Sequence, residues 1–108
     1  MKGMRGGMAN FIKQANQMQN KINKIKEELD AQEFEGSSGG GAVSVTVTGE
    51  GRLTKLDVND DVFSEGDKEM LQDLILTATN EALKTAQETR DKAMEKVTGG
   101  MSLPGLGF

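Results

Sequence analysis

From Val43 to Thr48 the chain alternates without a break, with Val43, Val45 and Val47 at every second position and Ser44, Thr46 and Thr48 between them. A period of two places the valines on one face of an extended strand and the hydroxyls on the other. β-Branched side chains are stiff at χ1 and favour this conformation. The stretch therefore demands a sheet with one dry face, and a dry face needs a second layer to cover it. "GEG" at 49–51 fits a tight hairpin turn, because glycine accepts the positive φ such turns require. "RLTKLDV" at 52–58 reads as the returning strand, with Leu56 and Val58 in phase. Leu53 is out of phase with them, which asks for a bulge or for a turn that absorbs one residue. "EFEGSS", just before the glycine run, supplies a further short strand. The expectation is a three-stranded antiparallel meander with one apolar face.

Both flanks are helical in pattern. Between Met8 and Leu29 the apolar residues fall at Phe11, Ala15, Met18, Ile22, Ile25 and Leu29, in steps of 4, 3, 4, 3, 4. That spacing is a heptad seam on one narrow stripe of a helix. Ile12 widens the stripe near its start, and Gln14, Asn16, Gln17, Gln19 and Asn20 make the other side polar. Acids gather only at the end, in "EELDAQE", where a helix macrodipole disfavours them. A second long helix is expected from about Asp67 to Val97, burying Met70, Leu71, Leu74, Ile75, Ala78, Ala82, Leu83, Ala86, Met94 and Val97. Its first half should pack on the sheet. Its second half should project or pair with another helix. "NDDVFSEGD" between sheet and helix reads as a loop, with Ser64 and Asp67 at capping-box spacing. Gly99 and Gly100 should stop the helix. Residues 1–98 then form one domain, and 99–108, "GGMSLPGLGF", a flexible tail.

Six of the sixteen residues from Gly36 to Gly51 are glycine. A phosphate-cradling loop leads from a strand into a helix and carries a Lys-Ser/Thr pair. Here the glycines follow a helix and precede a strand, and no lysine follows them. Gly39, Gly40 and Gly41 are instead read as an unusual turn or a place of close approach.

Composition narrows the chemistry. Cysteine and histidine are both absent, which removes disulfides, thiolate zinc sites and the usual general base. Asp57, Asp60 and Asp61 are three acids without further ligands and read as solvated. No catalytic residue, metal site, cofactor or small-molecule substrate is expected, and the chain is read as no enzyme. No run approaches the ~20 apolar residues of a membrane span, and "MKGMRGGMANF" is a poor signal peptide. A cytoplasmic location is the expectation. Charge is uneven: residues 1–26 hold Lys2, Arg5, Lys13, Lys21, Lys24 and Lys26 and no acid. The remaining residues hold 17 acidic against seven basic side chains. Such asymmetry points to a localised electropositive surface on an acidic protein.

The order of these stretches resembles the YbaB/EbfC family of nucleoid-associated DNA-binding proteins. The resemblance is carried by "IKQANQMQNKINKIKEEL" at 12–29, "EGSSGGGAVSVTVTGEG" at 35–51, "DKEMLQDLILTATNEAL" at 67–83 and "KVTGGMSLPGLGF" at 96–108. The chain departs from the family's pattern at Val58, Asn59 and Asp60, where Ile-Asp-Pro is common. It also has Gln72 where the family has an acid, and one tail proline rather than two. What the resemblance implies is an α+β (α/β) protein forming a tweezer-like homodimer that binds double-stranded DNA and takes part in nucleoid organisation and gene regulation.

With that partner, the basic face of the first helix becomes the candidate site. Lys13, Lys21 and Lys24, with Gln14, Gln17 and Asn20, would face the duplex through phosphate contacts. Lys2, Arg5, Lys84, Arg90, Lys92 and Lys96 are secondary candidates, although the last four sit among acids and also fit a salt-bridged surface such as Glu88–Lys92. Phe11, Phe34, Phe63 and Phe108 are too scattered for a base-stacking platform. The alternative is a dimeric coiled-coil adaptor that binds another protein, for example of the recombination or replication machinery.

Overall fold

The computed structural model describes the backbone of residues 2–98 and the side chains of residues 7–97. The order is α1 (Lys2–Ala31), β1 (Glu33–Ser38), β2 (Val43–Thr48), β3 (Leu53–Val58), α2 (Asp60–Ser64) and α3 (Lys68–Thr98). The strands form an antiparallel sheet in the order β1-β2-β3. The expected tail, and the helix stop at Gly99 and Gly100, lie outside the described residues.

The alternating valines do what their period requires. Val43, Val45 and Val47 are fully buried at the centre of the sheet. β1 pairs Phe34 with Val47, Gly36 with Val45 and Ser38 with Val43. Cross-strand partners share a face, so these residues form the surface that α3 covers with buried Ala78, Ala82 and Ala86. The approach is close because both sides are small. A Cβ on Gly36 would overlap the Ala78 carbonyl oxygen and lie 2.5 Å from the Ala82 nitrogen. Ser38 donates its hydroxyl to the Leu74 carbonyl at 2.6 Å, which anchors the next turn of α3 to the same strand.

The phase problem in β3 is solved by a bulge. Thr46 pairs with Lys55 but Val47 pairs with Leu53, so Thr54 is the extra residue. Leu53 thereby returns to the valine face. The glycine run is a turn: Gly39, Gly40 and Gly41 have φ of 58, 67 and 93°. Three consecutive left-handed residues would strain any side chain but glycine. Close approach occurs elsewhere, at Gly36 and at Gly49, where a Cβ would overlap the Leu29 carbonyl.

Three expectations need correction. The loop before the long helix contains α2, capped by Asn59, whose Oδ1 accepts from the Asp61 amide at 2.7 Å. Ser64 belongs to α2, and Asp67 alone caps α3, accepting from the Met70 amide at 3.0 Å. Gly66, with φ of 73°, turns the chain between the two helices and so separates Ser64 from α3. Leu83 is exposed rather than buried, because it lies about 100° around the helix from Ala82 and misses the sheet.

Beyond the sheet, α3 packs against the C-terminal part of α1. Met94 is buried there, and Ala93 and Val97 are half-buried. On α1, Leu29 is buried and Ile25, Ile22 and Met18 are half-buried, but Phe11 is 69% exposed. The earlier part of α1 thus extends past the body as an arm. The radius of gyration is 20.9 Å and the long dimension 77 Å, against about 13 Å for the radius of a compact domain of this length.

Candidate nucleic-acid interface

The arm is helical on both sides of the seam, so its polar residues fall on defined azimuths. At 100° per residue, Lys13, Asn20 and Lys24 lie within about 40° of one another, opposite the line from Phe11 to Leu29. Gln17 lies beside them, whereas Lys21 and Gln14 both lie on one side, about 60–80° beyond Lys24 and toward the apolar seam. All six side chains are exposed. Lys13 and Lys24 are separated by about 16 Å along the axis. Among the described residues, ion pairs join Lys55 to Asp57, Lys84 to Glu88 and Arg90 to Asp30, and these do not engage Lys13, Lys21 or Lys24. Gln19 donates its amide to Asn23 at 3.0 Å on the neighbouring face, which leaves Gln14, Gln17 and Asn20 outside that bond. The face offers cations and amide donors over a convex surface. Such a surface suits phosphate oxygens lying along a groove edge.

The secondary candidates are placed differently. Lys2 and Arg5 belong to α1, but their side chains lie outside the described residues. Lys92 and Lys96 are exposed on α3. Lys84 sits 4.0 Å from Glu88, so the exposed helix pair is Lys84–Glu88 rather than Glu88–Lys92. Arg90 is drawn inward. Its guanidinium donates to Asp30 Oδ1 at 3.1 Å and to the Gly49 carbonyl. Arg90 therefore joins α3 to the end of α1 and to the β2–β3 turn, and its charge is not presented as a free group. The sequence carried one sign of this contact: Asp30 stands at the C-terminal end of α1, where an acid is locally unfavourable. The guanidinium that offsets it comes from 60 residues away.

One cleft among the described residues is ill suited to phosphate. The cleft beside the start of α3 has Asp67, Glu69 and Asp73 on its walls, and like charge repels an anion. Among the described residues no cluster of three or more acidic side chains is arranged to hold a metal ion. No described helix is long and apolar enough to cross a membrane.

Comparison with known proteins agrees with this arrangement of elements. The model of the YbaB/EbfC DNA-binding family matches residues 4–101. The chain belongs to the YbaB/EbfC DNA-binding family. A nucleoid-associated protein of Clostridium novyi is 47% identical over 106 residues, covering 96% of this chain and 93% of that protein. One from Clostridium acetobutylicum is 48% identical over 105 residues, covering 96% and 94%. The crystal structure of an uncharacterised protein from Helicobacter pylori superposes with a TM-score of 0.72 at 26% identity, over 84% of this chain and 96% of that one. YbaB/EbfC proteins are DNA-binding and not enzymatic, as the sequence led us to expect. The helix–meander–helix order is likewise the one expected.

Proposed function

We propose that this YbaB/EbfC protein binds double-stranded DNA as a homodimer, mainly through phosphate contacts from α1, at the bacterial nucleoid in the cytoplasm. The observation that carries the reading is the arm: Lys13, Lys21 and Lys24 stand exposed on a projecting helix, and the first 26 residues of the chain hold no acid. Gln14, Gln17 and Asn20 add hydrogen-bond donors between the cations. Lys92 and Lys96, exposed on α3, and Lys2 and Arg5, in the acid-free stretch of the sequence, are the secondary candidates for contact. Sequence-independent contacts of this kind fit a protein that coats or shapes DNA, and through DNA conformation influences gene expression.

Dimerisation is supported by apolar surface that one chain leaves open. Leu53 and Leu56 pair with Val47 and Val45 on the face that α3 covers, yet they are 48% and 44% exposed because α3 lies over β1 and β2. Leu76 and Leu83 are also exposed, seven residues apart on one side of α3. A second copy of the chain brings the same residues and a second arm. Three lysines then become six, and log affinity should fall with log salt at roughly −0.9 per phosphate contacted, about −5 if all six engage.

The test is a salt-titrated mobility shift on duplex DNA. The triple variant Lys13→Gln, Lys21→Gln, Lys24→Gln should bind more weakly on every sequence and with a flatter salt slope. Unchanged affinity and slope would remove α1 from the interface and leave Lys84, Lys92 and Lys96 to be tested. No shift of duplex DNA, together with binding to a protein partner that survives high salt, would favour a protein-binding adaptor instead.

A further inference from the structure

Among the described residues α1 meets the body through its C-terminal part, where Leu29 and Ile25 pack with the core, and the charged contact at the end of that seam is built from three elements. Arg90 of α3 donates to Asp30 in the last turn of α1 and to the Gly49 carbonyl at the β2–β3 turn. Gly49 in turn lies against the backbone of Leu29, so close that no side chain fits between them. Its amide donates to the Gln32 carbonyl at 3.0 Å, just past the end of α1. Arg90 and Asp30 are 32% and 33% exposed, so the pair is partly shielded from the solvent that weakens surface ion pairs. α1 itself has no basic residue in its last turn. The cation that its C-terminal dipole favours is supplied by α3.

We propose that Arg90 and Asp30 are positioning residues that set the direction of the DNA-binding arm. The proposal rests on α1 being the DNA face. The reason is leverage. Lys13 lies about 24 Å along α1 from Leu29, whereas Lys24 lies about 7 Å away. A tilt of about 10° at the joint therefore moves Lys13 by ~4 Å and Lys24 by only ~1 Å. A displacement of ~4 Å is enough to break a hydrogen bond to a phosphate oxygen. In a dimer the error is applied to both arms. A salt bridge and a backbone bond on one guanidinium restrict such tilting in two directions, because the fork of donors is planar and rigid.

This reading separates from simple electrostatics by sign. Asp30→Asn removes a negative charge from the arm's base and barely changes its shape. If charge alone mattered, duplex binding would tighten. If Asp30 positions the arm, binding should weaken several-fold at constant salt while the slope of log affinity against log salt is retained. Arg90→Gln should do the same. If Arg90 instead neutralised a phosphate directly, its replacement would flatten the slope by about 0.9 for each phosphate released.

A second measurement does not involve DNA. The chain has no cysteine, so Asn16→Cys on the arm and Gln72→Cys on the body can carry a pair of spin labels, diluted with unlabelled protein. The native protein should give one narrow distance distribution by pulsed electron resonance. Asp30→Asn and Arg90→Gln should broaden or shift it, with helix content retained by circular dichroism. Tighter or unchanged DNA binding by Asp30→Asn, or an unaltered distance distribution, would overturn the positioning role. Failure of the parent reading looks different: the triple lysine variant would bind as the native protein does, whatever the joint variants do.

Discussion

At the centre of the sheet Val43, Val45 and Val47 are sealed from solvent, whereas Phe11 on α1, no less apolar, is 69% exposed. Both regions carry strict apolar periods, two in the strand and a heptad in the helix. The difference lies in what stands opposite. β2 has a strand on each side and α3 above it. The first half of the α1 seam has no described element of its own chain against it. A periodic pattern shows which face seeks cover but not whether one chain supplies it. The body is thus fixed by steric fit, and the arm by length, direction and charge. Changes in the body should act on stability, and changes on the arm on binding.

The harshest test of that division is Gly36→Val. The new side chain must enter the backbone of α3 at Ala78 and Ala82, which cannot move without leaving the sheet. A loss of about 3 kcal/mol or more is expected in urea unfolding. Gly40→Ala, which meets nothing in space, should cost only the ~1–2 kcal/mol of a left-handed backbone. Equal effects at both sites would mean that close packing on β1 is not what limits the fold.

Val45→Ala should cost about 2 kcal/mol, combining reduced apolar burial with an unfilled cavity. Phe11→Ala removes more apolar surface but should cost under about 0.5 kcal/mol where the ring faces solvent. If the two losses proved comparable, the arm seam would have to be covered in the folded assembly, by a partner or by the segment beyond residue 98.

Leu56→Glu tests the open edge of the body. It places a charge on the uncovered strip of the valine face and should convert a sedimenting species of twice 11.6 kDa into the single chain. A native protein that is already a compact monomer at micromolar concentration would refute the dimer.

The smallest effects on folding belong to the charges and the tail. The triple lysine-to-glutamine variant should have a folding stability within about 0.5 kcal/mol of the native protein's, despite its reduced DNA affinity. Removal of residues 99–108 should shift the melting temperature by only a few degrees. A larger shift would mean that Leu103, Leu106 or Phe108 docks on the folded protein.

The sequence made the sheet, the long helices and the basic face of the first helix legible because each is written in short-range pattern, although that the first helix projects was not legible. The valine alternation, the steps of three and four from Phe11 to Leu29, and the acid-free first 26 residues need no knowledge of the fold. Even the misphased Leu53 announced its irregularity, although only the pairing of Val47 with Leu53 decided that a bulge resolves it. The short helix α2 was hidden because five residues carry too little period to register. Leu83 reads as part of the buried face of the second long helix, and only the width of the contact between α3 and the sheet excludes it.

Local pattern thus dictates the set of elements and the faces they present, since a helical or extended period depends on neighbours within a turn or two. Which faces meet follows from long-range packing. Gly36 is essential only because Ala78 and Ala82 arrive above it. Arg90 ceases to be a free surface cation because Asp30 and Gly49, 60 and 41 residues away, receive its guanidinium. Contacts across such separations follow from packing geometry, and no local pattern of residues encodes them.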